Sequence, residues 1–157
     1  MIRTATATAA ALIAAIALPA TAPAATPKLG TFGAEPVQRG VKGSRLSIGV
    51  TAKDTVSGIG FFWTCKGRKA DHQTTISDDS GVLTKLKKGS FKITRDAYTV
   101  AGELPDLDSG EAKVTVTGTF VSAKKVVGTV SAKMGSCASG PLKYTATWEG
   151  PPVTGDA

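Results

Sequence analysis

From Gly30 to Trp148 the apolar positions tend to recur at every second residue, the period of a strand with one buried face. The clearest stretch is Lys113 to Trp148. Val114, Val116, Gly118 and Phe120 alternate with Thr115, Thr117 and Thr119. After Ser122-Ala123-Lys124 the pattern resumes, with Val126, Gly128, Val130, Ala132 and Met134 set against Val127, Thr129, Ser131 and Lys133. After Gly135 to Pro141 it resumes again, as Leu142, Tyr144, Ala146 and Trp148 against Lys143, Thr145 and Thr147. Short connections make these three strands an antiparallel meander, and threonine suits the solvated side of a pleated surface.

Earlier segments follow the same rule. Leu46, Ile48 and Val50 share one face, and Ile59, Phe61, Trp63 and Cys65 share another. Phe91 and Ile93 flank Lys92, while Tyr98, Val100, Gly102 and Leu104 alternate with Thr99, Ala101 and Glu103. Gly30-Thr31-Phe32-Gly33 reads as a first, edge strand. Turn residues punctuate the chain, as at Asp78-Asp79-Ser80-Gly81 and Pro105-Asp106-Leu107-Asp108-Ser109-Gly110. No helix is expected after residue 24, because the heptad-like run Val82 to Lys88 is too short to stand alone. About seven to nine such strands hide their apolar faces in an antiparallel sandwich or flattened barrel, so the expected class is all-β.

The N-terminus departs from this pattern. Met1-Ile2-Arg3 is followed by an uncharged run from Ala9 to Leu18, then Pro19 and small residues at Ala20, Ala22 and Ala24. That order is a signal peptide, and the apolar run falls short of the roughly 20 residues a membrane helix needs. Cleavage after Ala24 is preferred to cleavage after Ala22, which would leave Pro23 first. The expected organisation is a signal peptide over 1–24, a linker over 25–29, a secreted β domain over 30–149 and a flexible tail over 150–157. No transmembrane anchor is expected in the mature chain. Twelve of the 23 alanines fall in the first 25 residues, so the helix-forming bias of the composition belongs to the signal.

Export changes the reading of the two cysteines. In an oxidising space Cys65 and Cys137 are expected as a disulfide. Two cysteines and one histidine do not make a zinc site, and no cofactor is expected. Charge is uneven: residues 25–95 hold 13 Lys/Arg and 5 Asp/Glu, a net of +8, whereas residues 96–157 have a net of −2. A basic first half in an exported protein fits either ordinary solvated lysines or a face toward an anionic envelope polymer or polysaccharide, and intracellular nucleic acid is not an expected partner.

The order of several short pieces resembles small secreted β domains of actinobacteria and related bacteria, a functionally uncharacterised group. The pieces are Gly30-Thr31-Phe32-Gly33, the strand Leu46 to Val50, Cys65 after an aromatic strand, and Gly89-Ser90-Phe91. They continue with Val116-Thr117-Gly118-Thr119-Phe120, Val127-Gly128-Thr129-Val130, Cys137-Ala138-Ser139-Gly140 and Tyr144-Thr145-Ala146-Thr147-Trp148. The resemblance implies a β domain and the Cys65–Cys137 bond; it implies no activity.

Catalytic sets are scarce. His72 follows Asp71, but a Ser–His–Asp arrangement needs a serine near it in space, and Ser80 lacks the flanking glycines of such motifs, so a polar turn and a solvent-exposed imidazole are expected. Asp106 and Asp108 fail the calcium-loop spacing: Gly110, Glu111 and Thr117 occupy its fifth, sixth and twelfth positions. Asp78 and Asp79 read as turn residues. The expected protein is therefore non-catalytic. Phe61 and Trp63 belong with Cys65 in the core, whereas Phe62 points the other way beside Lys66, Arg68 and Lys69. An outward aromatic beside cations suits a sugar ring or an anionic polymer, so these four are the candidate binding residues. The alternative is a secreted inhibitor or effector acting on another protein through a 66–81 loop.

Overall fold

The computed structural model describes residues 25–101 and 109–152. The signal peptide expected over 1–24, the carboxylates of Glu103, Asp106 and Asp108, and the end of the expected tail lie outside the described residues. All the described regular structure is β. The strands are β1 (Gly30–Ala34), β2 (Arg45–Ala52), β3 (Thr55–Trp63), β4 (His72–Ser77), β5 (Thr84–Lys85), β6 (Ser90–Ala101), β7 (Gly110–Ser122), β8 (Lys125–Met134), β9 (Cys137–Ala138) and β10 (Leu142–Gly150).

Eight of them close into a ring in the order β1-β2-β3-β4-β6-β7-β8-β10, and β10 returns to β1. Every pairing between strands is antiparallel. The all-β expectation thus holds in its barrel form, with chain order preserved around the ring. Closure also corrects one detail. The Gly30–Gly33 segment is not an edge strand, because β1 pairs with β2 on one side and β10 on the other. Closing the ring leaves no long edge for another chain to extend.

The interior is filled by the alternating apolar positions. Phe32, Leu46, Ile48, Phe61, Trp63, Val114, Val116, Phe120 and Val126 are essentially inaccessible to solvent. Gly118 and Gly128 face one another across β7 and β8, and Tyr144 lies opposite Gly128 on β10. The missing side chains make room for the Tyr144 ring, whose hydroxyl donates to the Thr117 carbonyl at 2.8 Å. A Cβ on Gly128 would sit 1.9 Å from that same carbonyl oxygen, which explains glycine at an inward position.

One strand faces opposite to its sequence reading. Tyr98 and Val100 are expected on the apolar face, but β6 is one continuous strand from Ser90, and its inward parity is set by Phe91 and Ile93. Ala97 and Thr99 therefore point inward, while Tyr98 and Val100 stand outside at 63% and 50% exposure.

The loops alternate between two ends of the barrel. One end carries the β1–β2, β3–β4 and β8–β10 connections. The other carries the β2–β3 and β7–β8 turns and the β4–β6 connection containing β5. Residues 25–29 run along this second end: the Ala25 amide donates to Phe120 O at 2.9 Å and Lys28 to Ala123 O at 2.8 Å. Trp148 receives Lys28 and Lys124 over its ring, with Nζ 4.8 and 5.6 Å from the centroid.

Candidate functional site

At the first end, two loops are joined by backbone hydrogen bonds. Lys42 N donates to Arg68 O at 2.7 Å, and Ala70 N donates to Lys42 O at 2.9 Å. This short parallel bridge pairs Lys42 with Lys69. Gln38 reinforces it from below. Its side-chain amide donates to Thr64 O at 2.8 Å and its Oε1 accepts from Thr64 N at 2.9 Å, so one buried side chain acts as a strand edge. Thr64 closes the turn through hydrogen bonds to Lys66.

The disulfide holds the same end from the other side. Cys65, just past β3, is bonded to Cys137 in β9, with Cα atoms 5.4 Å apart. Beneath it lies His72, at 6% exposure. The imidazole stacks on Trp63 at 4.6 Å between ring centroids. Its Nδ1 meets Asp71 Oδ1 at 2.5 Å, and its Nε2 lies 3.9 Å from Cys137 Sγ. Trp63 Nε1 donates to Thr74 Oγ1 at 3.0 Å, and Thr74 shares a 2.7 Å hydrogen bond with Thr99. Among the described residues, no buried side-chain nitrogen or oxygen lacks a partner. These polar groups are therefore satisfied within the fold, which gives the end rigidity.

The expected binding residues fall together here. Lys66, Arg68 and Lys69 are exposed on the β3–β4 loop, and Phe62 is half-buried on the outer face of β3, just before it. The bridge adds cations that sequence reading did not group with them: Arg39 and Lys42 on the β1–β2 loop. Arg45, which opens β2, is the direct cross-strand neighbour of Phe62. Arg45 is ion-paired with Glu149 at 3.1 Å. Arg39, Lys42, Lys66, Arg68 and Lys69 form no salt bridge with any described residue. Five cations with no salt-bridge partner among the described residues stand on two stitched loops, which favours an anion locally, and the arginine forks match carboxylate or phosphate geometry.

A shallow depression of about 220 Å³ lies on the outer face of β7 and β8, between Lys113, Ser131, Lys133 and Pro141, and none of the four expected residues lines it. The opposite end is also basic, with Lys53, Lys85, Lys87, Lys88 and Lys125 exposed. It differs in kind: its exposed cations are lysines, Arg95 beside it is ion-paired with Asp78 at 3.4 Å, and Lys28 and Lys124 are engaged with Trp148.

Two other expectations change. The segment 66–81 is not one loop. β4 divides it, so residues 66–71 lie at the first end and 78–81 at the second, about 20 Å apart by the rise of a six-residue strand. That removes the single loop on which an inhibitor or effector reading relied. The same separation parts His72 from Ser80, whose hydroxyl donates to Asp78 Oδ1 at 2.7 Å within its own turn. His72 is buried rather than solvated, because β4 parity turns it inward with Thr74 and Ile76.

No group of three or more His, Cys, Asp or Glu side chains suited to a metal occurs among the described residues. No described helix is long and apolar enough to cross a membrane. No family model, curated protein or solved structure matches the chain.

Proposed function

We propose that the mature chain is a secreted, non-catalytic β-barrel domain that binds an anionic envelope component or extracellular polymer through its basic, disulfide-anchored end. The signal-like first 24 residues support export, and a disulfide fits an oxidising compartment. The observation that carries the binding reading is the Lys42–Lys69 backbone bridge. It fixes cations from two loops into one array before any ligand arrives, so little ordering entropy is lost on binding.

The test is retention on peptidoglycan and on an immobilised anionic polysaccharide at low and high salt. The expected result is retention at low salt and release at high salt, as screening shortens the reach of the charges. Lys42→Glu with Lys69→Glu should lower retention at low salt. A folded wild-type protein that both materials fail to retain at low salt overturns the proposal.

A further inference from the structure

We infer that the outer face of β2, β3, β4 and β6 beside the basic end is a stacking platform for the pyranose rings of a carboxylate-bearing polysaccharide. This deepens the binding reading above and rests on it. Arg45 is paired with Phe62, Phe62 with Gln73, and Gln73 with Val100, so these four form one row across four neighbouring strands. Tyr98 stands two residues along β6 on the same face and is the most exposed of the described large hydrophobic side chains. In the next row Ser47, Gly60 and Thr75 are paired, and Gly60 leaves the surface low between two short hydroxyl side chains.

The barrel core does not account for this row, because Leu46, Phe61, Trp63, His72, Thr74 and Thr99 already fill the inward face of these strands beside it. An outward tyrosine and valine with a half-buried phenylalanine form an apolar surface bounded by an amide, hydroxyls, the Glu149-paired guanidinium of Arg45 and, across from Tyr98 on β7, the exposed carboxylate of Glu111. The strand spacing puts Phe62 and Val100 about 10 Å apart, with Tyr98 about 7 Å further along β6. That is room for successive sugar units rather than for a single small ligand. The ring C–H faces would lie on Tyr98 and Phe62, and Gln73 would offer both a donor and an acceptor to ring hydroxyls. Charge complementarity selects the acidic class of glycan. β3 runs from Phe62 directly into the loop bearing Lys66, Arg68 and Lys69, so a chain lying on the platform extends toward cations that have no salt-bridge partner among the described residues. An acidic peptide would use the cations but leave the platform empty.

The experiment compares binding of polygalacturonate, which has rings and carboxylates, with binding of poly-glutamate, which has carboxylates alone. The proteins are wild type, Tyr98→Ala, Tyr98→Phe and Lys69→Glu, each checked for its β circular dichroism. Tyr98 is outside the core, so its variants should fold. Tyr98→Ala is expected to weaken polygalacturonate about tenfold, the order of one aromatic contact, with Tyr98→Phe near wild type and poly-glutamate unchanged. If Tyr98→Ala leaves polygalacturonate binding intact while Lys69→Glu weakens it, the platform is refuted and the charge reading stands. If poly-glutamate binds as tightly as polygalacturonate, the platform is likewise refuted and the occupant is an acidic chain without rings. If the wild type binds neither polymer, both readings fall.

Discussion

Replacing Cys65 and Cys137 together by alanine should cost about 4 kcal/mol, almost all of it through the unfolded chain. The two cysteines are 72 residues apart in sequence. Closing a loop of that length removes roughly 4 kcal/mol of denatured-state entropy in the chain-entropy model. The folded state has little reason to change. Cys65 sits one residue beyond Thr64, which Gln38 holds by two hydrogen bonds, and Cys137 is paired to Met134 in the β8–β9 ladder. Each backbone is thus held in place without the sulfurs. Against a total stability of about 5–15 kcal/mol for a domain of this kind, the loss is large but survivable. Urea unfolding followed by far-ultraviolet circular dichroism is the assay. With a slope near 2 kcal/mol per molar, the midpoint should fall by about 2 M. Reduced wild-type protein should show the same fall, since both lack the cross-link. A shift below about 0.5 M in both would refute the loop-closure reasoning, because it would leave less than a quarter of the expected effect.

Three further outcomes follow from the interior and its rim. Gly128→Ala should destabilise by about 3 kcal/mol or more in urea unfolding, because its Cβ meets the Thr117 carbonyl in a closed ladder; a loss under about 1 kcal/mol would mean that the β7–β8 pair can spread. Burial holds the Tyr144 phenol above the ordinary tyrosine range. The folded state therefore resists deprotonation, and stability should be complete below about pH 10 and fall as pH rises beyond it. Absorbance titration should show Tyr144 ionising only with unfolding, and reversible ionisation in the native state would count against its placement. The Ser80 hydroxyl and amide hold the Asp78 carboxyl below its ordinary value, with Arg95 adding to the effect. Ser80→Ala should raise the Asp78 midpoint in a carboxyl NMR titration, and an unmoved midpoint would remove Ser80 as the cause.

The strands were legible where alternation is uninterrupted. Val114 to Trp148 carries its own period, and β7, β8 and β10 lie where that period puts them. Tyr98 and Val100 were misplaced because Thr94, Arg95 and Asp96 interrupt the apolar period. Arg95 occupies an inward-parity position yet stays exposed and bonded to Asp78 at 3.4 Å. Reading β6 as two pieces reset the parity in the second. Closure by β1 against β10 was not legible, since the pairing of Phe32 with Trp148 spans most of the chain and leaves no local pattern. For the site, parity alone placed Phe62 outward, and the charge run identified Lys66, Arg68 and Lys69. Lys42 was missed because its nearness to Lys69 depends on two backbone hydrogen bonds between separate loops. His72 was misjudged because one histidine beside an aspartate resembles a turn until β4 shows which face it takes.

Binding at the disulfide-anchored end requires that this end of the barrel, and not the other, meets an anionic polymer. Backbone amide NMR of the mature protein, titrated with polygalacturonate fragments, distinguishes the two basic ends. The predicted perturbations centre on Lys42, Phe62, Lys66 to Lys69 and Gln73, and they diminish with added salt. Perturbations centred on Lys53, Lys85 to Lys88 and Lys125, or spread equally over both ends, would contradict it.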